Sequence, residues 1–226
     1  MEQATPKDNV PALKALLEKL SQDPSAFAVI VAGPSGVGKT TLCRELLKTE
    51  SDAQRCVTTT TRPARMGEVD GVERHFVSLE TFENMLRNGA LIEHAEVHGH
   101  FYGASLDAVY AAMKDGRMML MDVDVQGVSS WQKSLGDRCV TVFVLPPSLQ
   151  ILEERLASRQ TETESTFQLR MKNAIEELHQ APLCDYIIVN DQLCDSVADL
   201  KAIIQTERRR ASRMQAYLSH LGLAGM

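Results

Sequence analysis

Phe27-Ala-Val-Ile-Val-Ala-Gly-Pro-Ser-Gly-Val-Gly-Lys-Thr40 is the stretch whose reading decides the fold. It opens on an apolar run rich in β-branched residues and stopped by Gly33-Pro34, which predicts a strand buried on both faces. Gly33, Pro34, Ser35, Gly36, Val37, Gly38, Lys39 and Thr40 then fit the pattern GxxxxGKS/T, and residues 40–49 continue as a helix. Strand, glycine-rich turn and helix in that order mark a phosphate-binding loop. The residue types suit the task. Gly36 and Gly38 let successive backbone N–H groups face one anion, and the helix N-terminus adds its dipole. Lys39 offers a point charge to the terminal phosphates, and the Thr40 hydroxyl can ligate Mg²⁺. Thr41 belongs to the same nucleotide-binding run. The chain is expected to bind a nucleoside triphosphate.

Outward from this loop the same grammar repeats. Apolar runs at 117–122, 139–145 and 186–190 read as further strands. Helical patterns lie at 106–114 and 149–158, and one amphipathic stretch runs from 197 to about 218. Alternating strands and helices imply a parallel sheet covered on both faces, an α/β fold. Residues 56–103 do not fit, being polar and rich in turn signals, and are expected to form an inserted antiparallel subdomain. Residues 1–25 read as a helical extension, with Leu13, Leu16, Leu17 and Leu20 at helical spacing.

Composition removes other classes. With 226 residues, 44% of them hydrophobic, the chain can bury a core, and disorder is excluded. Lys and Arg total 24 against 30 Asp and Glu, a net charge of -6, which argues against nonspecific nucleic-acid binding. No apolar run approaches membrane length. Five scattered cysteines form no metal spacing, and the N-terminus has no signal-like apolar region, so a reducing, cytoplasmic setting is expected. A metal site at His94, His98 and His100 is disfavoured because no cysteine partners them. The basic run 207–213 reads as a solvated helix end. A GTPase would need a guanine-reading NKxD motif, which is absent. Arginines spread through and beyond residues 56–103 instead suit a kinase of a small phosphorylated acceptor.

GPSGVGKTTL, TTTTRPARMGEVDG, LIEHAEVHGHFYG, DVDVQG, FVLPPS, a spaced arginine pair and IIVND follow one another along residues 27–210. In that order they resemble the guanylate kinase family. The resemblance implies a P-loop NTPase fold with a parallel sheet core (26–55, 106–147 and 181–226), a GMP-binding insert at 56–105 and a mobile lid at 148–180. It implies transfer from ATP to GMP, and to dGMP, with Mg²⁺ held at Thr40, in a cytoplasmic monomer or small homo-oligomer. By the same resemblance Arg62, Arg65 and Tyr102 grip the GMP phosphate. Glu93 accepts hydrogen bonds from guanine N1–H and the 2-amino group. Asp124 faces the guanine and Asp122 the Mg²⁺ and phosphates. Arg155, Arg159 and Arg170 close over the transferred group, with a polar, mobile stretch at 161–164 between them, and Asn190 lies near the adenine.

Three positions depart from the family pattern. Thr58 stands where a serine usually contacts guanine, and its hydroxyl is retained. Arg74 stands where a tyrosine usually meets the GMP phosphate. Ala104 replaces a hydroxyl that usually touches guanine O6, which removes a contact worth on the order of 1 kcal/mol. The lost hydroxyl at 104 leads to the expectation that GMP remains the substrate with looser base specificity; the resemblance also admits a catalytically silent module that binds a phosphorylated protein.

Overall fold

The computed structural model describes residues 10–97, 99–157 and 164–223. The strand that leads into the glycine-rich loop, β1 (Phe27–Ala32), is buried at every position. It sits in the middle of a five-stranded parallel sheet, between β7 (Met118–Asp122) and β8 (Cys139–Leu145). The edges are β2 (Ala53–Arg55) beside β7 and β9 (Tyr186–Val189) beside β8. Alternation of side chains sends Ala28, Ile30 and Ala32 into one apolar cluster and Phe27, Val29 and Val31 into the other. A strand with no polar position can exist only where both faces are covered, which places the loop after β1 at the carboxyl edge of a rigid sheet.

Helix α2 (Lys39–Leu47) packs Leu42, Cys43 and Leu46 against the second cluster, together with α6 (Leu149–Ala157) and α8 (Leu193–Arg208). On the opposite face α5 (Val128–Leu135) buries Trp131, and α4 (Leu106–Met113) buries Val109 and Met113. The N-terminal helix α1 (Val10–Ser21) lies against α4, with Leu16 and Leu20 in the same cluster. Helix α7 (Glu164–Leu178) follows α6. Arg159 and residues 161–163 of the expected lid lie outside the described residues, as does His98.

Between β2 and α4 the chain builds a second sheet from β3 (Thr59–Thr60), β4 (His75–Phe76), β5 (Leu91–Val97) and β6 (His100–Ser105), in the order β4-β3-β6-β5. It is mixed, not purely antiparallel. The chain between β3 and β4 is long enough to return before pairing, so those two strands run parallel. The turn-rich reading also missed α3 (Leu79–Arg87), which Ser78 caps by accepting from the Thr81 N–H at 3.1 Å and which buries Phe82.

The C-terminal amphipathic stretch is two helices, α8 and α9 (Gln215–His220), and not one. The reason corrects the reading of 207–213 as a solvated helix end. Residues 209–212 are exposed, but Glu207 and Arg213 at the two ends of the run are buried. The Arg213 guanidinium lies 4.5 Å over the Phe27 ring, hydrogen-bonds the Glu207 carboxylate and donates to the Asp137 carbonyl at 2.9 Å. Reaching those partners requires the chain to turn back after α8.

Candidate functional site: a cleft between two sheets

The glycine-rich loop takes its shape from residues that lack side chains where backbone or partner must approach. Gly33 and Gly38 have φ of +141° and +97°. A Cβ on Gly33 would stand 2.5 Å from the Val144 carbonyl oxygen, and one on Gly38 equally close to Asn190 Nδ2. Asn190, buried behind the loop, donates to the Val37 carbonyl at 2.7 Å and accepts from Ser196 Oγ at 2.9 Å. Arg155 donates to the Asn190 carbonyl at 3.0 Å. The observed contacts of Asn190 and Arg155 therefore hold the loop from its far side.

At the loop's mouth Lys39 Nζ donates to the Gly33 and Pro34 carbonyls at 2.6 and 3.1 Å. Burial holds its pKa below the usual lysine value, and the nearby carboxylates Asp124, Asp122 and Glu177 oppose that shift. Thr40 Oγ1 donates to Asp122 Oδ2 at 2.6 Å. A hydroxyl and a carboxylate of this kind are hard oxygen donors. They suit a Mg²⁺ ion that takes few protein ligands and completes its shell with phosphate and water.

Facing the loop, the second sheet presents Glu93, Tyr102, Ala104, Thr58 and Arg74. With Lys39, Thr40, Asp122 and Asp124 they line one cavity of about 550 Å³. Glu93 accepts a hydrogen bond from Trp131 Nε1. Burial raises its pKa, and the Trp131 hydrogen bond works against that shift. A Cβ on Gly127 would lie 2.5 Å from Glu93 Oε1, so the glycine leaves room for the carboxylate. Arg74 donates to Thr58 Oγ1 and lies 5.3 Å over the Tyr102 ring.

The structure does not bring every expected residue to this wall. Arg62 is paired with Glu68 through two hydrogen bonds of 2.7 and 2.8 Å, and its guanidinium lies 5.5 Å over the Phe76 ring. Hydrogen bonds from Arg62 hold the Glu68 carboxyl at about 2. Arg65 donates its backbone N–H to the same carboxylate and is exposed. Arg170 lies on α7, away from the cavity lining.

Sequence reasoning missed Arg55 and Cys56, which also line the cavity, the thiol of Cys56 being pushed up to about 12 by burial. It missed the Glu93 supports Trp131 and Gly127 as well. One signal for Trp131 was available: a lone tryptophan in an amphipathic helix needs an acceptor for its N–H when buried.

The family model for guanylate kinase matches residues 25–207. Among curated relatives, a guanylate kinase of Syntrophotalea carbinolica is 40% identical over 192 residues, 85% of this chain and 91% of that protein. One of Clostridium perfringens is 34% identical over 203 residues, covering 90% and 94%. The crystal structure of guanylate kinase from Anaplasma phagocytophilum superposes with a TM-score of 0.67 at 27% identity, over 88% of this chain and 96% of that one.

Proposed function

The chain belongs to the guanylate kinase family and phosphorylates GMP with ATP, and we propose that it does so in the cleft between the two sheets. One observation carries this reading: a phosphate-binding loop and a half-buried carboxylate open onto the same cavity. The loop suits a triphosphate. The carboxylate suits a base with two adjacent N–H donors, which guanine has and adenine lacks.

The loop N–H groups and Lys39 hold the ATP phosphates, the ammonium exchanging the Gly33 and Pro34 carbonyls for phosphate oxygens. Thr40 and Asp122 would hold Mg²⁺, which when bound neutralises phosphate charge. Residues 56–105 form the acceptor-binding part, and residues 148–180 close over it with Arg159 and Arg170, while Arg155 braces the loop from behind through the Asn190 carbonyl. Arg62 and Arg65 take the GMP phosphate, so Arg62 exchanges one anion, the Glu68 carboxylate, for another. Asp124 stands on the guanine side. Catalysis is positioning and charge stabilisation, and exclusion of water on closure limits ATP hydrolysis.

A coupled assay of ADP formation tests the reading. ADP must appear only when GMP is added, and a wild-type chain without GMP-dependent turnover overturns it. The intact loop with its lysine speaks against a silent phosphoprotein-binding module, which needs no such loop.

Two substitutions probe the base-reading carboxylate. Glu93→Gln should lower kcat/KM for GMP by about a hundredfold, because the amide NH₂ opposes guanine donors in a buried site. The same change should stabilise the free protein at neutral pH. Glu93 has a folded pKa above its unfolded value, so its contribution is favourable below about pH 4.3 and is lost as pH rises through the folded pKa. The melting-temperature advantage of Glu93→Gln over the wild type should therefore be largest near pH 7 and vanish near pH 4. An advantage that grows on acidification would contradict this. Gly127→Ala introduces no backbone strain, since Gly127 has a φ of -73°, and acts only by displacing the Glu93 carboxylate. It should raise the KM for GMP by roughly tenfold, an off-position hydrogen bond to a charged group costing about 1.5 kcal/mol. An unchanged KM would show that Glu93 does not touch the base.

A further inference from the structure

Guanine offers more than its two donors: beside N1–H stands O6, an acceptor, where adenine carries an amino group. A carboxylate can only accept, so Glu93 leaves O6 without a partner. The cross-strand pairs show what lies next to it. Glu93 is opposite Ala104, whose methyl donates nothing. Thr59 is opposite Gly103, which puts Thr58 across from Ala104. Thr59 also pairs with His75 in the parallel β3–β4 ladder, which puts Arg74 beside Thr58. Glu93, Ala104, Thr58 and Arg74 thus form one row across the cavity face of the second sheet, and all four line the cavity. Two strand spacings, about 10 Å, separate the backbones of Glu93 and Thr58. That is room for a purine between the Glu93 carboxylate and the Thr58 hydroxyl.

In this row the direction of one hydrogen bond decides what Thr58 can do. A guanidinium has no acceptor, so in the Arg74–Thr58 contact of 2.5 Å the arginine donates and the hydroxyl oxygen accepts. No other hydrogen bond engages the Thr58 hydroxyl among the described residues. Its proton is free to be given, and the Tyr102 ring 5.3 Å beneath the guanidinium keeps the arginine in place. We propose that Arg74 is a positioning residue for base selection: it orients the Thr58 hydroxyl to donate to the 6-oxo group of the acceptor base. This rests on reading the cleft as the GMP site. The departures at 74 and 104 then form a compensated pair, and base selection is not relaxed.

The test compares kcat/KM for GMP with that for 6-thio-GMP, which keeps N1–H and the 2-amino group but carries a thione, a poor acceptor. The wild type should prefer GMP. Thr58→Val and Arg74→Leu should each shrink that preference about fivefold, the size of one neutral hydrogen bond. The double variant should shrink it no further than either single one, because the two residues act as a unit. The ratio is taken within each variant, so a smaller folded fraction cancels. Where turnover is too slow, the same ratio is read from dissociation constants by calorimetry. A wild type indifferent to the thione overturns the proposal. So does an Arg74→Leu variant that loses both substrates equally, the signature of a phosphate contact, or a double variant whose losses multiply. Absence of GMP turnover in the wild type would instead defeat the kinase reading itself.

Discussion

Lys39→Ala is expected to lower kcat for GMP-dependent ADP formation by about a thousandfold, the size found when one preorganised charge-stabilising donor is removed. The KM for GMP should change by less than about threefold, because the acceptor's proposed contacts, Asp124 apart, lie in residues 56–105 and not on the loop. The effect falls on kcat because the lysine's charge matters most as the phosphoryl group moves between two anions. Folding should not suffer. The ammonium is partly buried, its pKa is depressed by that burial, and among the described residues its hydrogen bonds go to the Gly33 and Pro34 carbonyls. Melting within a few degrees of the wild type, together with the lost turnover, would separate catalysis from stability. A loss below tenfold would mean that the loop binds nucleotide without assisting transfer.

Arg213→Met is expected to produce the largest loss of stability, about 3 kcal/mol. That is the lower end for stripping one partner from a buried ion pair, since Arg210 still reaches Glu207 at 2.8 Å. For a chain of this size the melting temperature should fall by roughly 6–12 °C. The cost comes from the Glu207 carboxylate left behind, not from the loss of the pair as such. Arg213→Met combined with Glu207→Leu should therefore recover more than half of it. Neither residue lines the cleft, so kcat per folded molecule should not move. A single variant that melts with the wild type would show that the fold-back after α8 contributes nothing to stability.

What the sequence revealed and what it hid divide along physical lines. Four strands of the first sheet and the loop after β1 were legible because continuous apolar runs and GxxxxGK leave few alternatives; the edge strand β2, only Ala-Gln-Arg, carries no such run and was missed. The second sheet was legible only as an exception. Two of its strands, β3 and β4, have only two residues each, and their pairing depends on partners far along the chain. That is why the parallel β3–β4 pair went unseen. Among candidate site residues, Lys39 and Thr40 follow from the loop motif and the two aspartates from the end of a strand, while Glu93 followed only from the family resemblance. The pairing of Arg62 with Glu68, the bond from Arg74 to Thr58 and the bond from Trp131 to Glu93 could not. Each is a choice among several partners of suitable chemistry, made by tertiary packing. The buried Glu207–Arg213 pair shows the converse: a basic run looks like solvated surface until a carboxylate and an aromatic ring close over it.

The position of β1 has a consequence for how the molecule comes into being. Phe27 pairs with Met118 and Ala28 with Cys139, so the central strand is complete only once distant parts of the chain exist. On a ribosome the nucleotide-binding loop emerges early, yet it has no frame until β8 has followed it out. A nascent chain halted before Cys139 would carry the whole GPSGVGKT motif and still lack the sheet that shapes it. The segment that announces the enzyme first is among the last to take its form.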